Sequence, residues 1–293
     1  ESAINPGENT IFTWGDENID TDPRFVSPDE SDYHLLASSL CINAGHPDST
    51  DSDGTRLDMG TYPYLNVYDG GENGDWYVSA EDGNDANGTG ESGNPFASVQ
   101  AGLNFARTDQ SVNVESGTYS ENVIWPGYYT HDKSGIQLLG EDRETTIIDG
   151  GANGSVMHLE FVDTTSYMSG FTLQNGLAEK GGALYIESSE LPIENIIIQG
   201  NSGHSSGLYI EGQGSGSGVP MGHGDAFWNN HFNNIIVRNN IGTNSVLYFS
   251  AYTNTTITNS LITENFCANG CIETVDYGSI TLDSTIISYN ESN

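Results

Sequence analysis

Four carboxylates crowd around one glycine: Asp48, Asp51, Asp53 and Asp58, with Gly54 between them. Hard oxygen donors in a glycine-containing turn are what Ca²⁺ takes as ligands, so this loop is the candidate metal site and Ca²⁺ the candidate cofactor. The spacing is not that of an EF-hand, and a solvated acidic loop, partly neutralised by Arg56, fits the same residues. Cys267 and Cys271 stand four apart in FCANGC and can staple a turn in an oxidising compartment. Three reduced thiols, with Cys41, are the alternative. His204, His223 and His231 lack the spacing of a metal-ligand set. Tyr209, Tyr248 and Tyr252 could form a sugar-stacking strip. Tyr185, Tyr209 and Tyr248 also recur at equivalent positions of a repeat, so a stacked ladder of side chains reads equally well.

That repeat is the element that must position them. GFTLQNG from Gly170, NIIIQGN from Asn195, NIIVRNN from Asn234, NSLITEN from Asn259 and STIISYN from Ser284 begin 25, 39, 25 and 25 residues apart. The long interval is one period plus a 14-residue insertion, matching GQGSGSGVPMGHGD over 212–225. ALYIE, GLYIE, VLYFS and CIETV keep nearly the same beat, so each period holds at least two strands. The segments are short and β-branched, with Asn, Gly, Ser or Asp at their ends, which argues against helical repeats. One such coil cannot bury its apolar face alone, whereas stacked parallel coils bury a continuous column and pair their backbones. The expected fold is all-β, a right-handed parallel β-helix with about 25 residues per coil. Asn201, Asn240, Asn265 and Asn290 occupy equivalent turn positions, where Asn can adopt left-handed angles and bond its own turn.

Composition narrows the partners. Of 293 residues, 7 are Lys or Arg and 41 are Asp or Glu, a net charge of −34. Nucleic acid and anionic membrane surfaces both need a cationic face, so neither is an expected partner. The longest apolar runs fall short of a membrane span. An acidic coat of this kind suits a secreted or cell-surface protein, and the lack of a signal peptide suggests processing or a fragment.

Two stretches resemble known families. Residues 1–68 contain Asp22-Pro23-Arg24-Phe25, Asp32-Tyr33-His34-Leu35, Cys41-Ile42-Asn43-Ala44-Gly45 and Asp58-Met59-Gly60-Thr61-Tyr62, in that order. This resembles the choice-of-anchor type closing segment of bacterial surface β-helix proteins. After a Gly/Asp-rich linker at 69–75, WYVSAEDGNDANGTGESGNPFASVQAGLNFA resembles the opening of pectate-lyase-like β-helix proteins. That resemblance implies an opening strand and a short N-terminal capping helix within 76–107, then coils over 108–293. Pro95 suits the first helical turn, and Phe96, Val99, Leu103 and Ala106 share one helical face. An ending thus precedes a beginning. The chain reads either as a piece of a tandem β-helix protein or as a subunit whose first segment completes a neighbour's stack.

In the lyases of the resembled fold, Ca²⁺ works with an Arg or Lys base, and the hydrolases use several Asp with a GHG and a basic element. The seven basic residues here form no matched cluster, and Gly222-His223-Gly224-Asp225 lies in the insertion. No catalytic residue is therefore assigned. The expected role is structural or adhesive, with head-to-tail self-association through Ile4, Ile11, Phe12 and Trp14 at one end and Ile280, Leu282, Ile286 and Ile287 at the other. The alternative is a polysaccharide-binding or polysaccharide-degrading β-helix enzyme, a lyase or glycoside hydrolase, with a glycan partner.

Overall fold

A computed structural model describes residues 18–65, 74–126, 133–212 and 227–292. The chain from Asp75 onward winds into a right-handed parallel β-helix with three sheets, of eight, seven and nine strands among the described residues. The five aligned segments all supply the second sheet: Thr172–Gln174, Ile197–Gln199, Ile236–Arg238, Leu261–Thr263 and Ile286–Ser288. Leu173, Ile198, Val237, Ile262 and Ile287 stand in register from coil to coil. The register is the same on both sides of the insertion, since Ile198 pairs with Val237 as Val237 pairs with Ile262.

Left-handed angles do occur at the turns, but one residue earlier than expected. Gly200, Asn239, Glu264 and Tyr289 have φ of 66°, 55°, 56° and 51°, each preceding the Asn of the repeat. The Asn side chains turn inward instead. Asn201 Nδ2 donates to Asn240 Oδ1, Asn240 Nδ2 to Asn265 Oδ1 and Asn265 Nδ2 to Asn290 Oδ1, each at 2.9 Å. The same amides bond their own turns, through Gln199 O, Arg238 O and Thr263 O. Asn201, Asn240 and Asn265 are fully buried, so this ladder satisfies turn backbone that water cannot reach. Where two coils meet at Gly140 and Gly170, a Cβ on Gly140 would lie 2.2 Å from Gly170 O, so only glycine lets them close.

The cap is the helix Val99–Phe105. Phe96, Val99, Leu103 and Ala106 are all buried, Val99 and Leu103 from the helix, Phe96 from the loop before it and Ala106 as its C-cap. Pro95 lies outside the helix, and Ser98 is its N-cap, with Oγ accepting from Ala101 N at 3.2 Å. Both helix ends, which leave backbone groups unpaired, are met by charges from elsewhere. The Glu121 carboxylate accepts from Val99 N at 2.7 Å and Gln100 N at 3.1 Å. The Lys133 ammonium donates to Leu103 O, Asn104 O and Ala106 O at 2.8, 2.7 and 2.6 Å. Burial pushes the Glu121 carboxyl up to about 7 and the Lys133 ammonium down to about 7.

Residues 18–65 pack on this cap of their own chain. Asn104 Nδ2 donates to Ala37 O and Ser39 O at 2.9 and 3.0 Å, and Ala37 N donates to Asp85 O. Leu35, Ala37, Cys41 and Ile42 are buried within the core that runs on into the coils. Phe105 is the junction, with ring centroids 5.4 Å from Tyr64, 4.8 Å from Phe96 and 5.9 Å from Trp76. The described part of the first segment therefore packs against the cap of its own chain. Ile4, Ile11, Phe12 and Trp14 lie outside the described residues, as do most of the linker and of the insertion. Asp75, placed in the linker by sequence, begins the first strand of the β-helix, Asp75–Val78.

Candidate functional site

Among the described residues no three His, Cys, Asp or Glu side chains converge as a metal site. Three of the four Asp residues read as Ca²⁺ ligands, Asp51, Asp53 and Asp58, brace their loop separately. Asp58 is buried; its Oδ1 accepts from Asn43 N and its Oδ2 from Tyr64 N, both at 2.7 Å. Asp51 Oδ2 accepts from Asp58 N at 2.8 Å, and Asp53 Oδ1 from Thr55 N and Oγ1 at 2.9 and 2.7 Å. Asp48 is exposed. Arg56 turns its Nε to Gly45 O. The carboxylates of Asp51, Asp53 and Asp58 are thus aimed at the loop's own donors, and as placed the set does not converge as a Ca²⁺ cage would. Cys267 and Cys271 are joined in a disulfide with Cα atoms 5.2 Å apart, and Cys41 is a free buried thiol.

Other sequence features disperse. His204 and His231 are exposed on different sheets, and His223, with the Gly222–Asp225 motif, lies outside the described residues. Gly203-His204-Ser205-Ser206-Gly207 has the spacing of a nucleophile elbow, which needs a strand–turn–helix corner. Here it runs within the strand Ser202–Glu211, and Ser205 is fully buried. A cleft of about 650 Å³ opens beside the cap, lined in part by Asp32, His34 and Tyr64. Its Asp32–His34 pair, 2.6 Å apart, is exposed at both members, an ordinary surface contact.

The third sheet brings functional groups together. Its strands Met157–Glu160, Leu184–Glu187, Ser202–Glu211 and Ile241–Ser250 alternate, so that Leu184 and Ile186 face the core while Tyr185 and Glu187 face out. Parallel register converts this alternation into two columns. His158, Tyr185, Tyr209 and Tyr248 form one; Glu160, Glu187 and Glu211 form the other, ending at Ser250. The His158 and Tyr185 rings stack at 4.3 Å and 9°, and Tyr209 and Tyr248 at 4.6 Å and 11°, with Tyr185 and Tyr209 edge to face at 5.7 Å. Tyr252 stands outside this column and stacks on Tyr277 instead, at 5.2 Å.

Lys180, from the strand Leu177–Lys180, ties the columns together. Its Nζ lies 2.5 Å from Glu211 Oε1 and over the rings of Tyr185 and Tyr209, at 5.2 and 5.3 Å from their centroids. The Tyr185 hydroxyl donates to Glu211 Oε1 and sits 3.0 Å from Glu187 Oε2, while the Tyr209 hydroxyl bonds Glu211 Oε2 at 3.2 Å. Burial and the neighbouring glutamates raise the Tyr185 and Tyr209 phenols far above the usual range, so both remain donors at any physiological pH. Burial also raises Glu160, an effect that His158 opposes and Glu187 reinforces. With two ring pairs stacked and Lys180 over Tyr185 and Tyr209, the flank shows mainly ring edges, phenol hydroxyls, carboxylates and an ammonium. These groups offer a set of hydrogen-bond donors and acceptors rather than open ring faces.

The tyrosine repeat was legible in sequence as a ladder. Its polar partners His158, Lys180, Glu160, Glu187 and Glu211 were not singled out, although Glu follows at the same offset in HLE, LYIE and LYIE.

No family model matches the chain, and no curated protein sequence matches it. Among solved structures it is similar to pectin methylesterase from carrot, at 16% identity and a TM-score of 0.49, covering 74% of this chain and 63% of that one. It is similar to pectin methylesterase PemA from Erwinia chrysanthemi at 13% identity and 0.49, covering 74% and 66%. A GH136 lacto-N-biosidase from Eubacterium ramulus aligns at 12% identity and 0.36, covering 74% and 56%. The chain thus spans less than two thirds of the length of these structures, and the likeness is one of fold.

Proposed function

We propose that this protein binds a neutral polysaccharide along the flank formed by Lys180, Tyr185, Glu187, Tyr209 and Glu211. The observation that carries this reading is the Lys180–Glu211–Tyr185–Tyr209 network, which fixes donors and acceptors in adjacent coils. Successive coils are spaced by roughly 4.8 Å, a step that lets a glycan chain meet equivalent groups again and again. The net charge of −34 disfavours polyuronates and other polyanions, so the ligand is neutral. An acidic, disulfide-containing coat fits a secreted or cell-surface setting. No described helix is long and apolar enough to cross a membrane.

The test is calorimetry against a panel of neutral and acidic polysaccharides. At least one neutral glycan should bind, and the K180A/E211Q variant should bind it about ten- to a hundredfold more weakly, since charge-assisted hydrogen bonds contribute roughly 1.5–3 kcal/mol. Circular dichroism of the variant should be unchanged. Equal binding by the variant, or binding to polyuronates alone, defeats the reading. Release of reducing sugar during titration would move the protein into the class of degrading enzymes.

A second reading, head-to-tail self-association, rests on the last described coil. Ile286, Ile287 and Leu282 are 62%, 49% and 38% exposed, whereas Ile262 and Ile257, their counterparts one coil earlier to Ile287 and Leu282, are fully buried. Ile280 beside them is partly buried. This face accepts a further coil, and we propose that a second copy supplies it. Sedimentation velocity over a concentration series should show association that Ile287→Lys abolishes; a monomer at every concentration rules it out.

A further inference from the structure

The two coils that follow the insertion differ inside from those before it. In the first sheet, Tyr167–Ser169 and Pro192–Glu194 have three residues each, whereas Trp228–Asn233 and Thr253–Thr258 have six. The regular interior column of that sheet runs through Met168, Ile193, Phe232 and Ile257. The added length brings extra interior positions, where Trp228 pairs with Thr253 and Asn230 with Thr255. Buried and exposed residues alternate along both strands, and Asn230, Thr253 and Thr255 are 2%, 0% and 0% exposed. The solenoid core, apolar elsewhere along this sheet, is polar here.

These side chains have nothing to bond. Asn230 Oδ1, Asn230 Nδ2, Thr253 Oγ1 and Thr255 Oγ1 are all buried without a hydrogen-bond partner. Each unpaired group costs roughly 1–3 kcal/mol, so four together would consume much of the about 5–15 kcal/mol by which a domain is stable. Buried polar groups are paired almost without exception, with ordered water as the usual partner where protein atoms fall short. The kinds of orphan decide the ligand. A bare cation would satisfy the three oxygens and leave the amide N–H groups unmet; an anion could take the amide N–H groups and the threonine hydroxyls as donors but would leave Asn230 Oδ1 unmet. Water donates and accepts, and a buried water makes about three hydrogen bonds.

We propose that the interior of the β-helix holds a water site bounded by Asn230, Thr253 and Thr255, with at least one molecule bridging Asn230 to Thr255 across adjacent coils. The water replaces the apolar contact that pairs of Ile and Leu make elsewhere in the column.

Oxygen-17 relaxation dispersion on the full chain counts waters held long enough to be internal. The N230L/T255V variant, which fills the site with apolar atoms, should show at least one fewer long-lived water than the parent; an unchanged count overturns the proposal. Should the variant fail to fold, a high-resolution crystal structure of the parent decides. Density within hydrogen-bond distance of both the Asn230 amide and Thr255 Oγ1 upholds the site. An empty interior there, with both groups bonded to protein atoms, overturns it.

Discussion

Asn240→Leu should lower the unfolding free energy by about 3 kcal/mol or more, while Asn290→Leu, the same change at the end of the ladder, should cost less than about 1 kcal/mol. Asn240 Oδ1 accepts from Asn201 N at 3.1 Å and Nδ2 at 2.9 Å, and its own Nδ2 serves Ile198 O, Arg238 O and Asn265 Oδ1. Leucine is close in volume, so little cavity forms; the loss is one of pairing. Asn201 N, Ile198 O and Arg238 O each lose a partner inside the core, and each such loss costs roughly 1–3 kcal/mol, partly offset by the added apolar burial. At Asn290 the amide that serves Asn265 N, Asn265 Nδ2 and Ile262 O is itself only partly buried, at the edge of the described coils, so solvent can follow the substituted side chain in. Water then replaces the lost amide. Urea unfolding curves of the two variants measure the contrast, and equal midpoint shifts would show that the ladder contributes no more inside the stack than at its end.

Phe105→Ala should cost about 3–5 kcal/mol, the range for truncating a buried phenylalanine, and the loss should be local. Phe105 is 1% exposed and touches three layers: Tyr64 of the first segment, Phe96 of the loop before the helix and Trp76 of the first strand. Coils of a solenoid contact only their neighbours, so damage at the cap need not reach the far coils. Hydrogen exchange should therefore speed up over residues 35–64 and 75–114 while Ile236–Arg238 and Leu261–Thr263 keep their protection. Uniform acceleration along the whole chain would contradict a segmental cap.

What the sequence made legible follows from periodicity. Leu173, Ile198, Val237, Ile262 and Ile287 recur at the coil length, and strand pairing puts them in one column, so the second sheet could be read almost residue by residue. The turn chemistry was half legible. Asn201 and its counterparts do bond their own turns, but the left-handed angle falls on the residue before, because an inward Asn can also reach the next coil. The acidic loop was legible only by type and spacing: Asp51, Asp53 and Asp58 read as ligands, and only the fold shows each turned to a different backbone N–H. The flank depends on Lys180, which reaches Glu211 from a strand 31 residues earlier; no local pattern encodes that contact.

The 39-residue interval has a practical reading. The stack resumes its register after the insertion, with Tyr209 opposite Tyr248 and Trp228 N donating to Tyr252 O at 2.9 Å. Lengthening a loop costs only slowly growing closure entropy, about 0.6 kcal/mol per doubling. The connection between residues 212 and 227 is thus a graft point, where a foreign peptide or a small domain could be spliced in and displayed from the coil stack beside the Tyr209 flank without resetting any rung.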